Sequence, residues 1–308
     1  MKAVQFAEYG DPTVLRNVDV DEPHAAAGQI RVSVRAAGIN PVDCKMRSGA
    51  LQQMMPLTLP AIPGGDVAGV VDEIGDGVSG VSLGDEVFGF AVSGGSAQYA
   101  VVDQFARKPP AVSWAVAAGL PLVCETAVRT LDLLGVTTGT TILINGAAGG
   151  VGTAATQFAR ARGASVIGTA SPANHDYLRT LGATPTTYGE GLAARVREIA
   201  PDGVDLALDA AGFGALPDLI ALTGSPDNVV TIADFTAQSH GVRLSPGPEG
   251  RAFHALGQVA RLLADGEFTM PVRTFPLAQA ADAHATSEAG HVRGKLVLTV
   301  DEDAHETS

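Results

Sequence analysis

The apolar and polar positions divide the chain into two kinds of territory. Before about residue 115, short apolar segments at 29–37, 67–74, 86–90 and 98–102 are separated by Gly, Pro and Asp at turn positions. That pattern predicts a β-rich region. Residues 114–134 are rich in Ala, Leu and Val without alternation, and Ser113 is placed to cap a helix there. From Thr140 the pattern becomes strand, turn and helix in repetition. Residues 141–144 form a β-branched strand, and Val151, Ala154, Ala155, Phe158 and Ala159 recur at helical spacing over 151–162. Further strands are predicted at 165–169, 184–187, 204–209 and 228–232, with helices at 173–181 and 191–200. Such alternation builds βαβ units on a parallel sheet. Residues 277–288 then read as a helix, 295–300 as a closing strand and 301–308 as a solvated, flexible tail. The expectation is two domains, one from 1–118 and 265–308 and the other from 119–264, with a ligand cleft between them.

Composition narrows the function classes. The chain has 308 residues, 46% hydrophobic and 17% charged, which excludes a disordered polymer. Twenty Lys and Arg against 33 Asp and Glu leave a formal charge of −13, which argues against nucleic acid as a partner. No run of about 18 apolar residues is available to span a membrane. Glu8 interrupts the N-terminus before an apolar signal core forms, so a cytoplasmic location is expected. The two cysteines, Cys44 and Cys124, make no disulfide framework and lack the close spacing of a structural zinc site.

The strongest local signal is Gly146-Ala147-Ala148-Gly149-Gly150-Val151-Gly152, directly after a predicted strand and opening a predicted helix. Glycines there allow a tight turn, close approach of backbone N–H groups to a pyrophosphate, and close helix–strand packing. Ala147, Gly149 and Gly152 fit an A-x-G-x-x-G spacing, and the helix N-terminus adds donors and partial positive charge. The same residues also read as a ligand-free turn of an α/β domain. A nucleoside-triphosphate loop is excluded because no Lys-Ser/Thr pair follows.

NAD-selective folds carry an acid at the end of the second strand, on the ribose 2′-hydroxyl. Here Val166-Ile167-Gly168-Thr169-Ala170-Ser171 has none, which permits NADP. Ser171, His175 and Tyr188 are the candidates around that ribose, with Arg179 as a further one that also reads as a solvated helix residue. Thr169 is another cofactor-binding candidate, and His175 also reads as an exposed helix start.

Larger blocks resemble a known family. Pro63-Gly64-Gly65-Asp66-Val67-Ala68-Gly69-Val70-Val71, Gly84-Asp85-Glu86-Val87-Phe88-Gly89 and Gly290-His291-Val292-Arg293-Gly294-Lys295-Leu296-Val297-Leu298 resemble the medium-chain dehydrogenase/reductase superfamily. Gly38-Ile39-Asn40-Pro41-Val42-Asp43-Cys44-Lys45-Met46-Arg47-Ser48-Gly49 is similar to its zinc-independent quinone reductase and alkenal/enone reductase branch. The resemblance covers essentially the whole chain. It implies an α/β protein with a GroES-like β-rich catalytic domain and a six-stranded Rossmann dinucleotide-binding domain, NADPH as cofactor, and a homodimer. It also implies cofactor contacts at Thr126, at Ala211 on the adenosine side, at Asp234 and Phe235 beside the nicotinamide, and at Arg293 and Lys295.

Zinc-dependent alcohol dehydrogenases resembling this chain place a Cys near Asn40 and a His near Gly65. Neither Asn40 nor Gly65 is a useful zinc ligand, and 91–112 contains no Cys for a structural zinc lobe. Chemistry without metal needs donors at the substrate oxygen where charge develops. Asn40 and Lys45 are the candidate catalytic residues, with a quinone or carbonyl compound as the small-molecule substrate. Asn40 before Pro41 also reads as a turn organiser, and Lys45 as a solvated charge or phosphate contact. Asp43 reads as a holder of local backbone or a partner of Lys45 or Arg47. Both cysteines read as buried small apolar residues, Cys44 with no His to activate it, and His240, His254 and His284 read as surface residues. An enoyl or polyketide-tailoring reductase, and a dinucleotide-binding protein with little turnover, are the alternative functions.

Overall fold

The computed structural model describes residues 1–247 and 250–300, so the expected tail at 301–308 lies outside the described residues. The chain forms two compact units, Met1–Leu122 with Leu256–Ser308, and Val123–Ala255. The expected boundaries after 118 and 264 therefore move to 122 and 255. The helix Ala255–Ala264, apart from its first residue, belongs with the first unit and not with the second.

The strands in chain order are β1 (Lys2–Gln5), β2 (Arg16–Asp19), β3 (Ile30–Ile39), β4 (Asp66–Ile74), β5 (Glu86–Ala91), β6 (Tyr99–Arg107), β7 (Thr141–Asn145), β8 (Ser165–Thr169), β9 (Thr184–Thr186), β10 (Leu206–Asp209), β11 (Val229–Thr231), β12 (Arg243–Leu244), β13 (Val272–Pro276) and β14 (Lys295–Thr299).

The first unit is built around β3. Its opening Ile30-Arg31-Val32-Ser33-Val34 alternates, so Ile30, Val32 and Val34 fall on one face and are fully buried. Burying each such side chain contributes roughly 1.5–3 kcal/mol before chain entropy is subtracted. The sheet order is β13-β14-β3-β4-β5-β6, and β6 pairs back onto β3, so β3 to β6 close on themselves. Val67, Val71, Val87, Val102, Leu296 and Leu298 complete the core around β3. A helix at Pro41–Arg47 appears where no helical pattern was expected, because seven residues are too few to show a period. Pro41 at its first turn supplies a helical φ at a position whose N–H has no intrahelical partner. Residues 114–134 form two helices and not one. Trp114–Ala118 is capped by Ser113 Oγ, which accepts from the Val116 N–H at 3.3 Å, and Pro121 can only begin the second helix, Pro121–Leu134.

The second unit is a six-stranded parallel sheet of order β12-β11-β10-β7-β8-β9, as the repeating pattern implied. Ile142, Leu143 and Ile144 of β7 are all fully buried, as expected of a strand covered on both faces. The chain runs from β7 outward through β8 to β9, then returns to the other flank of β7 for β10, β11 and β12. The order thus reverses between β7 and β10, and ligands of such sheets bind at the carboxyl ends of the strands at that point. No helix among the described residues is long and apolar enough to cross a membrane.

Candidate active site

At the carboxyl edge of the second unit, four strands end on a polar residue: Asn145, Thr169, Asp209 and Thr231. All four are buried, so each needs a hydrogen-bond partner, and they find one another. Asp209 accepts from Asn145 Nδ2 at 2.9 Å, from Thr231 Oγ1 at 2.8 Å, and from the backbone N–H groups of Ala211 and Gly212 at 3.1 and 2.8 Å. Thr169 Oγ1 donates to Asn145 Oδ1 at 2.6 Å and accepts from the Gly146 N–H at 3.0 Å. Thr231 Oγ1 accepts from the N–H groups of Ala233 and Asp234 at 3.1 and 3.0 Å. One network sets the loops after β7, β10 and β11.

The glycine loop depends on close backbone approach. Gly146 has φ +80°, and a Cβ there would stand 2.8 Å from Ala211 Cβ. A Cβ on Gly152 would stand 2.2 Å from the Gly146 carbonyl oxygen. Around Gly149 the space is open, since a Cβ there would meet only that same oxygen, at 3.5 Å. No side chain caps the helix Gly150–Ala161 that follows, which leaves its first-turn N–H groups to an outside acceptor.

The first unit holds a cluster of different character. Asn40 is 2% exposed. Its Nδ2 donates to Asp66 at 2.9 Å, and its Oδ1 accepts from the Lys295 ammonium, which also donates to the Ile39 carbonyl at 3.0 Å. Lys295 Nζ lies 3.6 Å from Asp66, whose other oxygen accepts from the Leu122 N–H at 3.0 Å. Asp43 accepts from the Asn40 N–H at 2.8 Å and so fixes the start of the helix Pro41–Arg47. Burial pushes the Asp43 carboxyl up to about 7, with the nearby Asp66 charge adding to the shift, and burial raises Asp66 as well.

Several expected roles change in the structure. Asn40 is buried, with Nδ2 donating to Asp66 and Oδ1 accepting from Lys295, so its amide also ties the start of the Pro41–Arg47 helix to β4 and β14. Lys295, expected at a phosphate or the nicotinamide, has its ammonium buried against Asn40, Ile39 and Asp66. Thr169 is fully buried and shapes the Gly146 turn from behind. His284 is a core residue 1% exposed, not a surface one, and its Nδ1 lies 3.4 Å from Cys44 Sγ. Cys44 therefore does have a histidine beside it, brought from 240 residues away. Burial raises the thiol to about 11 and lowers the imidazole to about 4, so both are neutral at pH 7 and the thiol is not activated. Asp43 holds local backbone, as expected, whereas Arg47 pairs with Glu288 and the Gly10 carbonyl.

Lys45 and Arg293 are exposed, as are Tyr188 and Phe235. Ser171, His175, Ala211 and Asp234 are half-buried; Ser171 Oγ accepts from Asn174 Nδ2 at 3.2 Å, and His175 Nε2 lies 3.3 Å from the Ala170 carbonyl. The Asp234 carboxyl is held below its usual range by bonds from the Thr236 hydroxyl and N–H. Thr126 is buried, and its hydroxyl donates to Glu125 Oε2 at 3.4 Å. Glu125 itself is fully buried and accepts from Arg129 Nε at 2.8 Å and the Ala252 N–H at 3.0 Å. Glu125 and Arg129 were not singled out from the sequence, and Asp66 and Asp209 stood inside segments that resemble the family without a role of their own. Asp66 opening an apolar strand and Lys295 opening another were the available signals, since a charge entering a core needs a partner.

Residues 26–110 match the alcohol dehydrogenase GroES-like domain, and residues 181–298 match a family model described as zinc-binding dehydrogenase. Among the described residues no group of three or more His, Cys, Asp or Glu is placed to hold a metal ion. The superfamily binds a nicotinamide cofactor, and the open cradle at Gly149 with its uncapped helix fits the pyrophosphate of one. The chain is 31% identical over 312 residues to the NADPH-dependent alkenal/one oxidoreductase of Arabidopsis thaliana, covering 97% of this chain and 79% of that protein. It is 36% identical over 305 residues to a spectinabilin polyketide synthase system protein of Streptomyces orinoci, covering 90% of this chain but only 14% of that protein's length. The solved quinone oxidoreductase of Coxiella burnetii superposes with a TM-score of 0.82 at 31% identity, covering 98% of this chain and 99% of that one. With the two folds, the glycine loop and these likenesses together, the chain belongs to the medium-chain dehydrogenase/reductase superfamily, in the branch of the quinone and alkenal/one oxidoreductases, and is an oxidoreductase.

Proposed function

We propose that this protein is an NADPH-dependent, zinc-independent reductase of quinones or of the activated C=C bond of enones and alkenals. The observation that carries the reading is the carboxyl edge of the second unit. It offers an open pyrophosphate cradle at Gly149, and β8 ends on Thr169-Ala170-Ser171 with no carboxylate to repel a 2′-phosphate. Ser171 and His175 supply polar groups on that side, with Tyr188 exposed beyond β9.

Bound NADPH supplies a hydride from its nicotinamide ring. Delivered to the β-carbon of an enone, that hydride would leave negative charge on the carbonyl oxygen, which would call for a donor there and a proton to complete the saturated ketone. We assign Lys45 to that oxygen: it is an exposed residue on a helix whose start is pinned by Asp43 and Asn40. Asn40, Asp66 and Lys295 act as positioning residues for that helix. The reading includes a cytoplasmic homodimer, checked by light scattering of the purified chain.

The likeness to polyketide synthase segments favours a second reading, reduction of enoyl thioesters. An NADPH-oxidation screen over quinones, alkenals, cyclic enones and enoyl thioesters separates the two. Turnover of the first three with weak thioester activity is expected. Failure to bind NADPH, or binding with no turnover of any of them, sinks the proposal.

A further inference from the structure

Among the described residues of the second unit, three charged side chains are buried: Glu125, Arg129 and Asp209. Asp209 is accounted for by the loops it holds. Glu125 and Arg129 lie four residues apart on the helix Pro121–Leu134, with Arg129 Nε donating to Glu125 at 2.8 Å. Glu125 is fully buried and Arg129 is 4% exposed. Taking two charges out of water offsets most of their attraction, and replacing such a pair by apolar residues of similar volume is often neutral or stabilising. Stability is therefore a poor reason for this pair. Its other bonds supply a better one.

Most of those bonds go to chain that no helix or strand holds. Arg129 donates to the Ser245 carbonyl at 3.1 Å and to the Ser245 hydroxyl. Glu125 accepts from the Ala252 N–H at 3.0 Å, and Arg251 Nε lies 3.3 Å from the same carboxylate. One turn of helix thus holds both ends of the segment 245–252. A Cβ on Gly247 would stand 3.7 Å from the Arg129 guanidinium, so the segment passes over it. Between the two charged residues in sequence, Thr126 Oγ1 lies 3.4 Å from Glu125 and 3.5 Å from Arg129.

Topology says what the pair positions. The Ser245 N–H donates to the Thr231 carbonyl at 2.9 Å, and Thr231 ends β11 at the carboxyl edge. Segment 245–252 therefore leaves the sheet on the β11–β12 flank, whereas Ser171, His175 and Tyr188 follow β8 and β9 on the other. A dinucleotide lies across the point where the strand order reverses, with one nucleotide toward each flank. With its 2′-phosphate half on the β8–β9 flank, its nicotinamide half falls toward Thr126 and 245–252.

We propose that Glu125 and Arg129 are positioning residues for hydride transfer, acting through Thr126 and the two ends of segment 245–252; this rests on the NADPH reading above. Misplacing reacting groups by about 1 Å costs on the order of a hundredfold in rate. A rigid frame on the nicotinamide side therefore governs the rate, while the affinity for the adenosine half is set elsewhere.

The test uses two variants of the intact protein. The double substitution Glu125→Gln with Arg129→Met removes both charges together, and Arg129→Lys keeps the charge without the forked donation. Each is compared with the wild type in thermal unfolding, in calorimetric Kd for 2′-phospho-ADP-ribose, and in single-turnover oxidation of NADPH with and without deuterium at the transferred position. Both variants should keep a Tm near that of the wild type and an unchanged Kd for 2′-phospho-ADP-ribose. Hydride transfer should slow by roughly tenfold or more, with a deuterium effect at least as large as in the wild type. An unchanged rate in a folded variant overturns the proposal and leaves the NADPH reading intact. So does a matching loss of 2′-phospho-ADP-ribose affinity, which would make the pair a support for the whole sheet edge. Loss of folding in both variants also overturns it, since the pair would then serve the fold itself. A wild type that does not bind NADPH, or binds it without turnover, overturns both.

Discussion

Each unit of this protein buries a polar network at the end of its central strands, and the two networks solve the same problem differently. In the second unit, Asp209 receives two side-chain and two backbone donors, and its neighbours Asn145, Thr169 and Thr231 are neutral. In the first unit, Asp66 and Asp43 are buried with one ammonium, Lys295, and one amide, Asn40, among them. Hydrogen bonds from fixed amide, hydroxyl and backbone dipoles hold loops in one shape. A cluster of two carboxyls and an ammonium is held by charge, and its strength follows its protonation. The dinucleotide edge is therefore built for constancy, and the cluster behind Lys45 is built around titratable groups.

The largest effect should come from breaking the charged cluster. Lys295→Met leaves Asp66 without its cation in a dry site, and loss of one partner of a buried pair costs about 3–5 kcal/mol. Urea unfolding should show that loss, and the double substitution Asp66→Asn with Lys295→Met should recover most of it. Equal destabilisation of single and double variants would mean that Lys295 acts by packing and not by charge.

The next effect is a pH dependence, smaller and of known sign. Asp43 has a folded value near 7 against an ordinary 3.8. Between those values the folded chain keeps a proton that the unfolded chain releases, so this group makes stability fall as pH rises from about 4 to 7. Asp66 is shifted in the same direction. His284 is depressed from 6.5 to about 4, so there the unfolded chain binds the extra proton and stability rises with pH over about 4 to 6.5. The two slopes oppose. Asp43→Asn should tilt the balance toward His284, so that stability rises from pH 4.5 to 6.5 by up to about 3 kcal/mol more than in the wild type. Parallel curves for variant and wild type would show that Asp43 is not titrating in this window.

The difference between the networks also explains what was legible in the sequence. The second unit's site is local: a β-branched strand, glycines at fixed spacing and a helix lie within 141–161, so spacing alone identified the loop. The central strands of both units were legible for the same reason, because alternation and apolar runs are short-range signals. The first unit's cluster joins Asn40 to Asp66 and Lys295 across 26 and 255 residues, and it exists only because β4 and β14 both flank β3. Cys44 and His284 meet across 240 residues in the same way. No periodicity carries that information. The helix Pro41–Arg47 was hidden by its length.

The smallest expected effect lies in the second unit and tests how far its network is structural. Thr169 Oγ1 is the one acceptor shown for the Gly146 N–H, and it reaches the rest of the network through Asn145. Thr169→Val keeps the shape and removes the hydroxyl, leaving that N–H and one Asn145 lone pair without their partner. The cost should be about 1 kcal/mol in urea unfolding, the scale of a single neutral hydrogen bond. Thr169→Ser restores the hydroxyl and should recover it. Because the Gly146 turn sets where Gly149 stands, Thr169→Val should also weaken NADPH several-fold, in a residue that is itself fully buried. Unchanged affinity with the expected stability loss would show that the turn keeps its shape without the hydroxyl, through Gly146, Gly152 and Ala211 alone. Reduced affinity without stability loss would instead place the hydroxyl in contact with the cofactor, contrary to its burial.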